Sequence, residues 1–379
     1  MASAPIDPLD VPPYLVEPLV PSIPGGKITC AQALGSEIYV GCSNGELLRY
    51  ATQTDGPSKL EPYNLLSRQS LPNDKAIDEI VLVPCLSRAL VLCDRQIHLY
   101  TLPSLDPVPN IKPLKNVVTF AVDQQHLQRP APSPSDLPAK LAPVEFCVIK
   151  RNTIALYSLQ DRLFYQKEIP FSQGATLARR TGRYLCVADG EFYNMIDLQS
   201  ASMFQLLPLT QVFDDPAPVK PFITVISENE FLLLSWTGAS TLGVFITGEG
   251  DPVRGTLEWP SHPEAICLDY PYITTLLPNG TIEIHSVETQ AIVQVVSAPE
   301  NVEARDRVTL AACMGQYVVP SLQQSEKMRM KKIKLVRRPK TEQSSDVGSG
   351  SESSGNGNGN GNGNGNGVNV EEPTHGGYM

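Results

Sequence analysis

The sequence predicts an all-β fold: a seven-bladed β-propeller closed by an N-terminal strand, with a disordered C-terminal tail. Six short apolar runs are each broken by a turn and followed by a second run in which apolar and polar residues alternate. Five residues after each turn a large side chain recurs, at successive intervals of 50, 57, 38, 50 and 40 residues. A period of about 40 to 50 residues with a hairpin in each unit is typical of propeller blades. The recurring residues are Tyr50, Tyr100, Tyr157, Met195, Phe245 and His285.

The composition agrees with a strand-rich globular domain. The 379 residues include 34 prolines, almost twice the usual share, and proline disfavours long helices. No run of 18 apolar residues occurs, and the N-terminus lacks a signal-peptide pattern, so we expect a soluble, cytosolic chain. The eight cysteines are scattered through apolar runs without a CxxC pair, which predicts reduced thiols in the core rather than disulfides or zinc ligands.

Three of the hairpins are indicated directly by their turn residues. Asn44-Gly45, Asp189-Gly190 and Asn279-Gly280 suit tight turns that require positive φ. The apolar run before each turn is expected to form an inner strand of its blade. The residues predicted for the core include Val91, Cys93, Cys147, Leu185, Leu232 and Ile273.

The seventh unit is the least regular. It begins near Tyr317 with a poor turn, and its partner strand is predicted within 327–338, where apolar and basic residues alternate across a slip that a β-bulge would absorb. An N-terminal strand within 14–20 is expected to complete this blade and close the ring.

These expectations divide the chain into three parts. They are a proline-rich N-terminal segment with the ring-closing strand (1–23), the propeller (24–338) and a disordered tail rich in Gly, Asn and Ser (339–379). A second proline-rich segment, 130–143, is expected to form a flexible surface loop.

The sequence contains no recognisable set of catalytic groups, which favours a protein without enzymatic activity. Asp94 and Asp189 occupy turn positions, so we interpret them as turn residues rather than catalytic carboxylates. His98 and His285 are two of only five histidines, which makes a multi-histidine metal centre improbable. No phosphate-binding loop or nucleophile motif occurs, and the sequon Asn279-Gly280-Thr281 is interpreted as turn chemistry. The sequence therefore predicts no catalytic, cofactor-binding or metal-binding residue.

The charge is distributed unevenly. Residues 327–340 contain eight of the 30 basic residues and no acidic one. The rest of the chain therefore has 22 basic and 40 acidic residues, a formal charge of −18. One interpretation is a solvated edge strand whose lysines discourage strand pairing. The other is a patch for an anionic membrane or an acidic partner. Nucleic-acid binding is disfavoured, because the stretch lacks interleaved aromatic residues. The predicted patch comprises Lys327, Arg329, Lys331, Lys332, Lys334, Arg337 and Arg338.

A set of short stretches, in a fixed order along the chain, suggests a family. They are Leu90–Asp94, Leu105–Pro109, Thr119–Ala121, Arg151–Ile154, Lys167-Glu168, Leu242–Phe245 and Tyr270–Ile273. The set covers roughly residues 24 to 310. It resembles the citron homology (CNH) domain, in the version shared by the transforming growth factor-β receptor-associated protein and the vacuolar sorting subunits of the CORVET and HOPS tethers.

The resemblance implies a propeller that serves in a membrane-tethering complex during vesicle-mediated and intracellular protein transport. Its implied partners are a Rab GTPase and other tether subunits, and its implied location is the cytoplasm, peripheral on endosomal or vacuolar membranes. In the family a helical solenoid follows the propeller. Here only a disordered tail is expected after it, so the chain is either a fragment or a propeller that works alone.

Two other functions remain open. CNH domains also occur on kinases and Rho exchange factors, so the alternative is an adaptor for Rho-type small GTPases. A propeller hydrolase is the third class, and the lack of convergent channel residues weighs against it.

Overall fold

Antiparallel β-strands provide nearly all the regular structure of the described residues. The computed structural model describes residues 12–18, 20, 23–24, 26–35, 37–52, 63–131, 141–212, 218–298, 313–314, 317–323 and 329–337. For residues 15–18, for residue 52 and from residue 313 onward it describes the backbone only. The described residues lie in the first of two units, 1–338 and 339–379, so the predicted tail lies outside them. The described helical segments are α1 (Gln124–Leu127) and the 3-10 turns Pro72–Asp74 and Pro84–Leu86.

Strand β1 (Tyr14–Pro18) precedes three sheets built from consecutive strands. Blade 1 contains β2 (Ile28–Leu34), β3 (Glu37–Cys42), β4 (Glu46–Thr52) and β5 (Tyr63–Ser70). Blade 2 contains β6 (Ile77–Val83), β7 (Arg88–Cys93), β8 (Gln96–Thr101) and β9 (Leu114–Lys115). Blade 3 contains β10 (Thr119–Val122), β11 (Val144–Ile149), β12 (Thr153–Leu159) and β13 (Leu163–Pro170).

Three further blades repeat the same order, from the innermost strand to the outermost. Blade 4 contains β14 (Leu177–Thr181), β15 (Tyr184–Ala188), β16 (Phe192–Asp197) and β17 (Met203–Pro208). Blade 5 contains β18 (Ile223–Ser227), β19 (Glu230–Trp236), β20 (Thr241–Thr247) and β21 (Leu257–Trp259). Blade 6 contains β22 (Ala265–Asp269), β23 (Tyr272–Leu276), β24 (Ile282–Ser286) and β25 (Ile292–Val296).

The described strands form six propeller blades, so the prediction of seven is wrong. The last strands are β26 (Cys313–Met314), β27 (Tyr317–Gln323) and β28 (Arg329–Arg337). Strand β26 pairs in parallel with β2 and so belongs to blade 1. The remaining strands form a three-stranded sheet in the order β1-β28-β27. The seventh sequence unit, from Tyr317 onward, supplies only β27 and β28 to this sheet, and with β1 that makes three described strands rather than a four-stranded blade.

The core lies between neighbouring blades. Because side chains alternate between the two faces of a strand, each blade presents one apolar face to each neighbour. Five clusters of buried apolar residues fill the successive interfaces from blade 1 to blade 6. The core prediction is confirmed, because all six residues named for it are buried: Val91, Cys93, Cys147, Leu185, Leu232 and Ile273. Six of the seven cysteines whose side chains are described are also buried, as predicted, and all seven are free thiols.

The hairpin turns are mostly as predicted. Gly45 and Gly280 have φ of 78° and 84°, in the left-handed region that glycine tolerates best. Gly190 is not among the residues with positive φ, so that part of the prediction is wrong. Its turn is instead fixed by Asp189, whose Oδ1 accepts the backbone N–H groups of Glu191 and Phe192, each at 2.7 Å.

The strand order defines two faces of the propeller. The hairpins between the second and third strands of each blade lie at the same end as the connections from each outermost strand to the next blade. We call this end the hairpin face. The loops between first and second strands lie on the opposite face, together with α1.

Candidate functional site

A cleft opens on the hairpin face beside blade 5, where three segments distant in sequence converge. They are the connection into β18, the end of β19, and the connection from β21 to β22. The cleft has a volume of about 390 Å³. Its lining residues are Pro218, Val219, Lys220, Trp236, His262, Pro263 and Glu264, and we call it the Lys220 cleft.

The His262 ring holds the walls of this cleft together. Its Nε2 lies 2.8 Å from the backbone oxygen of Lys220, and its Nδ1 lies 3.1 Å from Oγ1 of Thr241. Because a carbonyl can only accept, Nε2 donates and Nδ1 accepts from the threonine hydroxyl. Burial lowers the pKa of His262, which agrees with a neutral ring. The ring also lies 5.6 Å from Phe222 and 6.4 Å from Trp236, centroid to centroid.

Lys220 provides the positive charge of the cleft. Its Nζ donates to the backbone oxygen of Glu264 at 2.8 Å and lies 5.1 Å from the centroid of the Phe222 ring. Burial lowers the pKa of the Lys220 ammonium, and the Glu264 carboxylate partly offsets this effect. The walls formed by proline, valine and tryptophan could bind an apolar side chain of a partner, and the Lys220 ammonium could bind a carboxylate next to that side chain.

The cleft is better suited to binding than to catalysis. Both nitrogens of His262 are used to hold the walls, so the ring is not poised as a general base. Among the described residues, no group of three or more His, Cys, Asp and Glu side chains could hold a metal ion.

The two histidines considered for a metal site lie in different blades. His98 is half-buried on β8, whereas His285 is buried on β24. Nε2 of His285 lies 4.0 Å from Oε2 of Glu283, and its ring lies 5.1 Å from that of Trp259. Nδ1 of His285 has no hydrogen-bond partner among the described residues. Burial lowers the pKa of His285 to about 4, so the ring is neutral at neutral pH.

The polar residues considered at turns do serve turn geometry. Asp94 has φ of 47°, and its Oδ2 accepts from Nδ2 of Asn73 at 3.1 Å. Oδ1 of Asn279 accepts the backbone N–H of Thr281 at 2.9 Å. The turn interpretation of these residues is confirmed.

The predicted basic patch falls at the limit of the described residues. Lys327 and Arg338 lie outside them. For Arg329, Lys331, Lys332, Lys334 and Arg337 the structure gives backbone positions in β28, which pairs with β1 and β27.

A charged cluster on the opposite face was missed by the sequence reasoning. Arg180 on β14 is buried, hydrogen-bonds the Glu145 carboxylate, and places Nη2 3.7 Å from Oδ2 of Asp123. Oδ1 of Asp123 accepts the backbone N–H groups of Gln125 and Gly182 at 3.1 and 3.0 Å. Burial favours a higher pKa for Glu145, but Arg180 holds that pKa below its ordinary value. These contacts join blades 3 and 4, and no local motif indicates them because Asp123 and Arg180 are far apart in sequence.

None of the helices in the described part of the chain has the length and apolarity needed to span a bilayer.

Comparison with known proteins identifies relatives of this chain. Transforming growth factor-beta receptor-associated protein 1 from Bos taurus is 28% identical over 324 residues, covering 82% of this chain and 35% of that protein. Vacuolar protein sorting-associated protein 3 from Saccharomyces cerevisiae is 25% identical over 284 residues, covering 72% of this chain and 26% of that protein. The chain thus spans about a third or less of the length of these relatives.

A solved structure shows the same fold, and a family model shows the family. The AfRom2 CNH domain matches with a TM-score of 0.54 and 16% identity, covering 85% of this chain and 100% of that domain. The model described as VPS3 N-terminal domain matches residues 26–299, which is most of the propeller. The resemblance inferred from the sequence is therefore confirmed, and the chain belongs to the VPS3 N-terminal domain family.

Proposed function

We propose that this propeller is a non-catalytic interaction module of a membrane-tethering complex in vacuolar and endosomal protein sorting. The observation that carries the proposal is the family match over 26–299, because one relative is named for vacuolar protein sorting. The names of the relatives do not denote enzymes. On this proposal the protein acts in the cytoplasm, peripheral on endosomal or vacuolar membranes.

The proposed partner is a GTP-loaded Rab or another tether subunit, bound at the Lys220 cleft. The cleft offers apolar walls, the Lys220 ammonium group and the Glu264 side chain, so the partner should insert an apolar residue and place an acidic one towards Lys220. Without further contacts we expect a dissociation constant on the order of micromolar.

A pull-down against a panel of Rab proteins, each loaded with GTP or GDP, tests this proposal. The native chain should capture at least one member in its GTP form, and Lys220→Glu should weaken that capture at least tenfold. Lys115→Glu is the matched control, because it makes the same charge change at an exposed residue of blade 2. Equal capture by all three chains would exclude the cleft. Indifference to the bound nucleotide across the whole panel would favour a purely subunit-binding role.

The second candidate is the Rho-type adaptor implied by the resemblance to CNH domains, and the likeness to the AfRom2 CNH domain adds only a shared fold. Adding Rho-type GTPases to the same panel tests it, and selective capture of a Rho protein would replace the tethering proposal.

We also propose that the basic stretch 327–340 attracts the protein to anionic membranes. The stretch contains eight basic residues, whereas the rest of the chain has a formal charge of −18. Each Lys or Arg near an anionic leaflet is worth about 1 kcal/mol, and the attraction fades over a Debye length of about 8 Å. In liposome flotation at low salt, the native chain should float with anionic vesicles and the variant Lys331→Glu/Lys332→Glu/Lys334→Glu should not. Equal flotation of the two chains would show that the basic residues only discourage strand pairing and do not bind membrane.

A further inference from the structure

The outermost strand of blade 6 is exposed, apolar and uncharged. Strand β25 pairs on one side with β24, and no other described strand pairs with it. Its sequence is Ile-Val-Gln-Val-Val. Ile292, Val293 and Val295 are 50%, 38% and 54% exposed. An edge strand presents a row of backbone N–H and C=O groups without partners, and this row is flanked here by exposed β-branched side chains.

The outermost strands of the other five blades carry the features that protect sheet edges. Charged residues or prolines discourage pairing with a further strand. The protective residues are Arg68 in β5, Lys115 in β9, Lys167 and Pro170 in β13, Pro208 in β17 and Glu258 in β21. Among the outermost strands of the six blades, β25 alone contains neither a charge nor a proline, and in the described part of the chain no strand covers its edge.

The edge is also held in a fixed position. The Gln294 side chain accepts the backbone N–H of Tyr14 at 3.1 Å and donates to the backbone oxygen of Tyr14 at 3.1 Å. Alternation along the strand places Val293 and Val295 on the other face. A strand fixed on one face and free at its edge is preorganised for a partner, which lowers the entropy lost on binding.

Area and charge indicate which partner fits. A stable dimer buries roughly 1,200 Å² or more, far beyond what pairing two five-residue strands provides. An extended peptide needs only an edge of this length, because main-chain hydrogen bonds supply much of its affinity. The Glu288 side chain, just before the strand, is 53% exposed although its Oε2 lies 3.8 Å from Nη1 of Arg254, so it can also face a basic residue beside the peptide's strand segment.

We propose that β25 is a docking edge for an extended segment of a partner protein, which adds to blade 6 as a fifth strand. The segment is β-branched and uncharged at its centre and is flanked by Lys or Arg. This edge lies on the rim of the propeller, so the proposal does not depend on the Lys220 cleft or on a Rab partner.

The test uses a labelled synthetic peptide, Lys-Lys-Val-Thr-Val-Thr-Val-Lys-Lys, titrated with the full chain and followed by fluorescence anisotropy. Methylating the backbone nitrogens of alternate central residues should weaken binding at least tenfold, because those donors would pair with β25. Val295→Lys should also weaken binding at least tenfold, since it places a charge in the edge. Phe164→Lys is the matched control, because Phe164 is 51% exposed on the outermost strand of blade 3, and it should change binding less than twofold.

Equal binding of the methylated and unmethylated peptides, or no binding of either, would overturn the proposal. Sedimentation of the native chain gives a second check: a dimer that Val295→Lys dissociates would make a second copy the occupant and also overturn it. If Val295→Lys fails to fold by circular dichroism, Val293→Lys takes its place, because that side chain is also exposed.

Discussion

Nη1 of Arg179, on the innermost strand of blade 4, lies 3.1 Å from Oε1 of Glu79, on the innermost strand of blade 2. The pair reaches past the innermost strand of blade 3, so it joins two blades that are not neighbours. Burial raises the pKa of Glu79, and the Arg179 charge partly offsets that effect. The pair therefore links innermost strands that no sheet hydrogen bond connects.

Removing the charge of Glu79 should destabilise the propeller modestly. For Glu79→Gln we expect a loss of about 1 kcal/mol, because the pair is only partly shielded from solvent. For a domain of this size this corresponds to a decrease in Tm of about 2 °C, measured by differential scanning calorimetry. Glu258→Gln, at an exposed glutamate of β21, is the control and should leave Tm unchanged. If Glu79→Gln matches the control, the pair contributes nothing to stability.

His285 should make stability depend on pH. Its pKa of about 4 in the folded state lies below the ordinary 6.5, so the unfolded state binds the proton more readily. Stability is therefore lost as pH falls from about 6.5 towards 4, by about 2 kcal/mol at pH 5. Chemical denaturation at pH 7 and pH 5 measures this loss.

The neighbouring Glu283 acts in the opposite direction, because burial raises its pKa and protonation at low pH then favours the folded state. The informative quantity is therefore the difference between the native chain and His285→Gln, which retains Glu283. The variant should lose less stability between pH 7 and pH 5 than the native chain. Parallel curves would show that His285 is not the titrating group.

Leu232→Asp should unfold the domain. The side chain is fully buried between blades 5 and 6, and an unpaired charge placed there costs several kcal/mol. Val253→Asp introduces the same charge at a residue that is 48% exposed, and it should leave the fold intact. Far-ultraviolet circular dichroism and soluble yield distinguish the two. A folded Leu232→Asp chain would contradict the interblade core.

Gly45 and Gly190 should respond differently to alanine, although both follow a polar turn residue. Gly45 has φ of 78°, and an added Cβ would lie 3.0 Å from the backbone oxygen of Lys75. Gly45→Ala should therefore cost about 1–2 kcal/mol. Gly190→Ala has open space around the new Cβ and no positive φ, so it should be close to neutral. Thermal denaturation of both variants checks this, and equal losses would contradict the turn assignment.

The sequence predicted what depends on local pattern. Alternating runs around turns located the hairpins, and inner-strand residues such as Val91 and Leu232 are buried as expected. The blade count failed because it depends on which strand pairs with which over a long distance: β26 joins blade 1 instead of the last sheet. A similar turn sequence can also be stabilised in two ways. At Gly45 the glycine adopts positive φ, whereas at Asp189 the carboxylate accepts backbone N–H groups.

The candidate site could not be predicted for a similar reason. Lys220, Trp236 and His262 come from three segments and meet only because blades 5 and 6 stand side by side. The rarity of Trp and His, two and five in the chain, is the only signal these residues carry in the sequence. The open edge of β25 likewise becomes evident only when the outermost strands of all six blades are compared.

Hydrogen–deuterium exchange of the full chain, with and without its captured tether partner or GTP-loaded Rab, tests the central proposal most directly. Binding at the Lys220 cleft predicts slower exchange in residues 218–220, 236–241 and 261–265, with blades 1 to 3 unchanged. Unchanged exchange in all three cleft segments, with protection elsewhere on the propeller, would contradict the proposal that this cleft receives the partner.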